Sequence, residues 1–182
     1  MKELSLHILD IIQNSISANA SLIKIIIEED DSMDKFSIKI TDDGIGMDRE
    51  MLEKVTDPFI TTRKSRRVGL GISLFKAAAE RCNGSFSIES VKGEGTTVLA
   101  VFQRSHIDRA PLGNMAETIA TCIHGNEYIE YYYKHIYNKE IFTFDTKEIK
   151  KITGELPIIA VEVITWIKDY IQEGLNELYS KS

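Results

Sequence analysis

An acid and an amide stand four residues apart in the run "HILDIIQNS": Asp10 and Asn14. On a helix, residues i and i+4 lie one above the other, so both polar side chains leave the same face of an otherwise greasy segment. Such a pair is either a solvated edge or a device, in which the carboxylate takes a proton and the amide oxygen meets a hard cation. A second candidate is "TDDGIGMD", Thr41 to Asp48. Asp42 closes an apolar run, where a carboxylate is expensive unless a donor meets it. Gly44 and Gly46 either make a turn or let backbone press against a flat ligand. Third, the basic residues Arg63, Lys64, Arg66 and Arg67 crowd in front of Gly69-Leu70-Gly71. A helix start entered through glycine offers free N–H groups and a positive dipole end, a seat for an anion such as phosphate; the alternative is a plain solvated basic loop. Finally, "GEGTT", Gly93 to Thr97, is a turn followed by two hydroxyls entering a strand. Neither a Walker loop nor the dinucleotide fingerprint occurs.

The elements that must position these residues follow from periodicity. Leu4, Ile8, Ile11, Ile12 and Ile16 recur at helical spacing, which predicts an amphipathic helix over residues 3 to 19. "SLIKIIIEED" and "KFSIKITDD" are β-branched runs bounded by charged turns and predict a hairpin. "MDREMLEKVTD" reads as a short helix, and "GISLFKAAAERCNG" as a longer one with Ile72, Phe75, Ala79 and Cys82 on one face, stopped at Asn83-Gly84. "SFSIESV" and "TTVLAVFQR" flank a glycine turn and give a second hairpin. The order helix, two strands, two helices, two strands predicts an α+β two-layer sandwich, its sheet largely antiparallel and its helices on one face.

Beyond residue 104 the pattern changes. "SHIDRAPLGN" is a connector, "MAETIATCIHG" a helix, and "EYIEYYYKHIYNKEIFTFDT" a hairpin turning at Asn138-Lys139. "PIIAVEVITWIKDYIQEGLNELYS" predicts a long helix with Pro157 near its start and Ile164, Ile167 and Ile171 on one stripe. Two units are therefore expected: residues 1–104, holding every candidate site, and an α/β extension, residues 105–182, that docks a protein partner, a second copy, or both. Tyr128, Tyr131, Tyr132, Tyr133 and Tyr137 are either that docking face or ordinary strand residues.

Composition sets the surroundings. A chain of 182 residues with 43% hydrophobic content can bury a real core. Its net charge of −6 argues against general nucleic-acid binding, which needs a basic surface. No stretch approaches the roughly 20 apolar residues of a membrane span. Cys82 and Cys122, far apart, read as buried free thiols of a reducing compartment, and a cytoplasmic location is expected. His106, His124 and His135 lack metal-ligand spacing.

Taken in order, D-x-x-x-N on a helix, D-D-G-I-G closing a strand, P-F-x-T-T, a basic segment ending in G-L-G, and G-x-G-T-T before a last strand resemble the Bergerat-type ATP-binding fold of the GHKL superfamily. That superfamily includes DNA gyrase, the heat-shock chaperone ATPase domain, sensor histidine kinases, anti-sigma serine kinases and the MutL mismatch-repair ATPases. The resemblance covers residues from about 4 to 103. The whole chain is also similar to small free-standing bacterial ATP-binding proteins labelled histidine-kinase-like.

The resemblance implies a role for each candidate. Asp42 would accept a hydrogen bond from the adenine amino group, selecting ATP over GTP, whose carbonyl at that position would face another acceptor. Gly44 and Gly46 would admit the base, Met47 would pack on it, and Thr97, with Thr96, would touch its polar edge. Asn14 would ligate Mg²⁺. Thr61, Thr62, Arg63 and Lys64, with Gly69, Leu70 and Gly71, would wrap the triphosphate. Asp10 stands where the superfamily's ATPases and serine kinases carry a glutamate base and the commonest histidine kinases an asparagine, so an acid leans toward water or a hydroxyl as acceptor. Asp is a methylene shorter than Glu, and holding a magnesium-bound water is its other possible task. His7 rides on the same helix, where in-line attack on the γ-phosphate is awkward, so the acceptor is expected on another molecule. The implied activity is γ-phosphate transfer to a protein in trans, or an ATP-gated switch that only hydrolyses.

Overall fold

The computed structural model describes residues 2–57, 59 and 68–181. Their elements run α1 (Leu4–Ser17), β1 (Leu22–Asp30), β2 (Lys35–Asp42), α2 (Arg49–Val55), α3 (Val68–Arg81), β3 (Ser85–Val91), β4 (Gly95–Gln103), α4 (Met115–Gly125), β5 (Glu130–Tyr137), β6 (Glu140–Asp145), α5 (Thr146–Thr153) and α6 (Val161–Ser180). The six strands form one mixed sheet in the order β3-β4-β2-β1-β5-β6. All pairings are antiparallel except β1 with β5. The architecture is the α+β two-layer sandwich that the sequence predicts.

Alternation explains why one face of the sheet is covered and the other is not. The register sets Ile25 beside Ile40 and Tyr133, and Ile40 beside Val98. All four side chains are buried, while Lys24 and Lys39, one step away on their strands, are exposed. Helix α1 lowers Leu4, Ile8, Ile11 and Ile12 onto the covered face. Each such side chain, fully removed from water, contributes about 1.5–3 kcal/mol. Helix α3 packs beside α1 and brings Ile72, Phe75, Ala79 and Cys82 inward, the face its sequence spacing predicts. On the other side of α1 lies α4, which in turn packs on α6.

The hairpin β5-β6 continues the sheet, because β5 lies parallel to β1 along eight paired residues. A parallel neighbour needs a long crossover, and the connector with α4 supplies it. That crossover is strapped over the start of α1, where Leu4 and Ser5 donate their N–H groups to the carbonyls of Pro111 and Leu112 at 2.9 and 2.8 Å. Residues on both sides of position 104 thus share one sheet and one hydrophobic core. The hairpin turns at Asn138 and Lys139, both with positive φ, as a tight turn matched to strand twist requires.

Two details depart from the sequence reading. Helix α5 follows β6 directly, with Asp145 capping it by accepting from the Lys147 N–H at 2.9 Å. Helix α6 begins at Val161, not beside Pro157; residues 157–160 form a turn, closed by the Ala160 N–H donating to the Pro157 carbonyl. Of the tyrosines, Tyr131 and Tyr133 are core residues, whereas Tyr128 is 87% exposed. Both cysteines are free and buried, and burial pushes the Cys122 thiol up to about 12.

Candidate ATP site

Asp42 is the last residue of β2 and faces the C-terminal half of α1 across a cleft. Its two oxygens are held from different directions. Ser15 of α1 donates its hydroxyl to Oδ2 at 2.6 Å, and the Gly44 N–H donates to Oδ1 at 2.9 Å. A carboxylate oxygen accepts about two hydrogen bonds, so each retains capacity directed by a fixed rotamer. The neighbouring Asp43 does different work: it clamps the start of β1, accepting from the backbone N–H groups of Ser21 and Leu22 at 2.7 and 2.9 Å. Identical side chains one residue apart therefore divide into one that offers a lone pair and one that ties a loop.

The cleft has a cavity of about 140 Å³ with largely apolar walls, including Ile11, Ile40, Ile45, Met51, Ile72 and Val98. Asn14, Ser15, Asp42, Gly46, Met47 and Thr96 also line it. A flat heterocycle suits such a slot, and Asp42 is the polar group that would orient it. Asn14 enters from α1, and its side-chain nitrogen is buried without a hydrogen-bond partner. A buried, unpaired amide hydrogen costs about 1–3 kcal/mol, which is a cost sustained where a ligand completes the pairing. Asp10 lies one turn earlier. Burial lifts its carboxyl above the ordinary value, which moves it toward the range of an effective proton acceptor.

The glycines are explained by close approach. At Gly46 φ is +66°, and a Cβ would stand 2.0 Å from the Val91 carbonyl oxygen. At Gly71 a Cβ would lie 3.0 Å from Cβ of Asp10, so the missing side chain lets α3 press directly on the acid. Gly44 is likewise crowded, by the carbonyl of Ala18. The contacts that require glycine at these positions are thus made by the protein itself, and Gly46 is also a wall of the cleft.

Of the two hydroxyls expected from "GTT", the fold brings Thr96 to the cleft and turns Thr97 away. The ladder pairs Asp42 with Thr96 and Thr41 with Thr97. Alternation puts Thr96 on the cleft side, while Thr97 points to the open face and shares a hydrogen bond with Thr41 at 3.1 Å. Thr96 contacts Ser90 at 2.8 Å, and Ser90 also receives the Met47 N–H at 2.8 Å, which fixes the wall residue Met47. Leu70 is 47% exposed on the first turn of α3 and does not line the cavity. Gly69 belongs to that same turn. Thr61, Thr62, Arg63 and Lys64 lie outside the described residues. Ser15 and Ser90 were missed from the sequence; Ser15 follows Asn14 directly, but its i+1 position does not announce that it faces Asp42.

His7, on α1, is a core residue. It is buried and stacked on Phe75 with ring centroids 5.1 Å apart, and burial holds its imidazole down at about 4.

Magnesium would accompany a bound triphosphate, and the residues present fit that ion. Among the described residues no cluster of three His, Cys, Asp or Glu side chains could hold a metal alone. Magnesium characteristically needs few protein ligands, taking phosphate and water oxygens for the rest, and Asn14, which lines the cleft, would supply one amide oxygen.

A largely apolar cleft on a mixed sheet, with an acid fixed at the strand end and an unpaired amide on the facing helix, is an arrangement that suits a nucleotide. Residues 2–106 match the family model described as histidine kinase-, DNA gyrase B-, and HSP90-like ATPase, and the chain belongs to that family. It is 31% identical over 103 residues to a putative sensor protein of Shewanella frigidimarina, covering 56% of this chain and 16% of that one. With Sensor protein DegM of a Bacillus species it shares 29% identity over 92 residues, 50% of this chain and 24% of the relative. Sporulation kinase E of Bacillus subtilis is 38% identical over 63 residues, 35% of this chain and 8% of that kinase. The chain thus spans under a quarter of each of these relatives. The fold is also similar to the crystal structure of the N-terminal domain of a DNA repair protein, with a TM-score of 0.54 at 16% identity, over 87% of this chain and 59% of that one. No helix among the described residues is long and apolar enough to cross a membrane.

Proposed function

We propose that this chain binds Mg-ATP in the cleft between α1 and β2 and transfers the γ-phosphate to a protein acting in trans, as a cytoplasmic histidine-kinase-like phosphotransferase. The carrying observation is the division of labour along α1 and β2. Asp42 is held rigid by Ser15 and Gly44 with acceptor capacity to spare, and Asn14 lines the same cleft with an unpaired amide N–H open to a ligand oxygen. In this reading Asp42 takes the adenine amino hydrogen, Thr96 adds a hydroxyl on the same wall, and the Asn14 oxygen ligates the metal. Magnesium, when bound, screens the charge of the transferring phosphate. Asp10, desolvated and pressed by Gly71, accepts the proton of the attacking hydroxyl or water.

A second reading, an ATP-gated switch without a protein acceptor, has its own support. Strand β1 pairs with the cleft strand on one side and with β5 on the other, so the nucleotide site and the extension share a rigid ladder. Incubation with γ-labelled ATP separates the two. Label on a co-purified protein supports the kinase, while phosphate release with no labelled protein supports the switch. Parallel titration with GTP tests the site itself: ATP is expected to bind far more tightly, and equal affinities would remove Asp42 from its role.

A further inference from the structure

The apolar surface of the extension is not used up by the fold. Between the end of α5 and the start of α6 lies a shallow groove lined by Ile152, Leu156, Glu162, Val163 and Trp166. Its lips carry large apolar side chains in water: Ile152 is 74% exposed and Val161 77%. Trp166 is 45% exposed, and its ring stacks on that of Tyr170 at 5.1 Å with the planes 17° apart. Three exposed apolar side chains, Ile152, Leu156 and Trp166, thus line one groove, with Tyr170 stacked on Trp166 and exposed Val161 next to the lining residue Glu162. Scattered exposed apolar residues are ordinary; a contiguous set with an aromatic anchor marks an interaction surface.

Charge selects the occupant. Glu162, Trp166, Asp169, Tyr170 and Glu173 fall at helical spacing and form one exposed stripe of α6. Among the described residues none of these three acids has an ion-pair partner. The lysine of α6, Lys168, is already paired with Glu117 at 2.7 Å, and Lys151 on the far lip with Glu148 at 3.0 Å. A second copy placed face to face would set acid against acid about its two-fold axis. An anionic membrane surface or a nucleic acid would be repelled by the same stripe.

We propose that this groove docks a cationic amphipathic helix of a partner protein. Its aliphatic residues, at i, i+3 and i+4 spacing, enter between Ile152, Leu156 and Trp166, while its lysines or arginines face Glu162, Asp169 and Glu173. An arginine on such a helix also finds the ring face of Trp166. Affinity comes from the aromatic and aliphatic anchors, and the acids govern association rate and partner choice.

Trp166 is the sole tryptophan, so it reports on the groove directly. The full chain is titrated with a synthetic helical peptide carrying leucines at i, i+3, i+4 and i+7 and lysines elsewhere, and with a twin in which glutamates replace the lysines. The lysine peptide is expected to shift Trp166 emission to the blue in a saturable way, and the glutamate twin to leave it unmoved. Val161→Asp, and separately Glu162→Lys with Glu173→Lys, should each weaken binding by about tenfold or more. Glu80→Lys with Glu140→Lys makes the same change in net charge at exposed sites elsewhere and should leave affinity within about twofold. All these positions are exposed, and Ile152→Lys on the opposite lip provides a second route to the same loss. Equal binding of the twin, equal losses in the control pair, or calorimetric binding with Trp166 unmoved would each overturn the proposal. So would a concentration-dependent dimer of the chain that Val161→Asp dissolves, which would give the groove to a second copy.

Discussion

The two ends of strand β1 each hold a carboxylate within the molecule, and the two are treated in opposite ways. At its start, beside Ile23, sits Asp42, with one partner for each oxygen and room for more. At its far end sits Glu29, 5% exposed and saturated. It takes hydrogen bonds from His135 at 2.8 Å and from Tyr179 of α6, and pairs with Arg104 at 3.4 Å. His135 is itself completed by the Tyr133 hydroxyl at 2.7 Å. Burial pushes the Glu29 carboxyl up, but the hydrogen bonds from His135 and Tyr179 with the charges of His135 and Arg104 outweigh it, leaving a net lowering. Asp10, with burial alone acting, goes the other way. The polar group that is buried and complete serves the fold, here pinning α6 to the sheet, whereas Asp42 keeps acceptor capacity facing an open cleft.

Substitutions can break or sharpen that contrast. Removing Glu29 should have the largest effect on stability. Glu29→Leu removes the anion shared by His135 and Tyr179 and leaves Arg104 with Asp31 alone, at a cost of about 3–5 kcal/mol in denaturant unfolding. ATP affinity of the folded fraction should not change, and an affinity loss at full stability would collapse the distinction. Asp10→Asn should do the reverse: turnover falls by roughly 10² to 10⁴, with binding kept and stability equal or slightly raised, since a neutral amide replaces a desolvated acid. Lost affinity with intact turnover would make Asp10 a ligand of the metal's water instead. Gly46→Ala should cost about 1–3 kcal/mol, because an L side chain is strained at that φ and meets the Val91 carbonyl.

Two pH dependences are smaller and carry defined signs. Because the Asp10 carboxyl is raised, the acid limb of the turnover profile should lie above 3.8, its ordinary value, and Asp10→Asn should abolish that limb. His7 lies in the core without a partner for Nδ1, and its folded value of about 4 is below the ordinary 6.5. Between these values the unfolded chain binds a proton that the folded chain refuses. Its contribution is therefore constant above pH 6.5, declines as pH falls toward 4, and levels off below, a change of about 1–3 kcal/mol. His7→Phe should flatten this part of the melting-temperature profile; an unchanged slope would mean that His7 is solvated.

Local patterns made much of this legible. Period 3.6 in α1 and α3 and period 2 in β1 and β2 follow from side-chain geometry, so those elements and their buried faces could be read directly. Asn14 and Asp42 could be found because a polar residue inside an apolar pattern has a cost that demands a reason. Spacing lacks phase: two adjacent threonines in a strand are indistinguishable until the register with β2 sets Thr96, and not Thr97, opposite Asp42. Ser15, Ser90 and Glu29 were unread because their partners lie 27, 43 and 106 residues away.

The amino-acid sequence by itself determined the elements apart from α5, the apolar faces of α1, α3 and α6, and the order of motifs that carries the family, because these depend on neighbours within a turn or a strand. Tertiary structure alone decided that β5 joins β1 in parallel, that one aspartate is a ladder end and the next a loop clamp, and that one helix ends in a satisfied lock while another carries an uncompleted amide. Those outcomes rest on contacts between distant segments, and whether a buried polar group is paired is a property of the assembled fold.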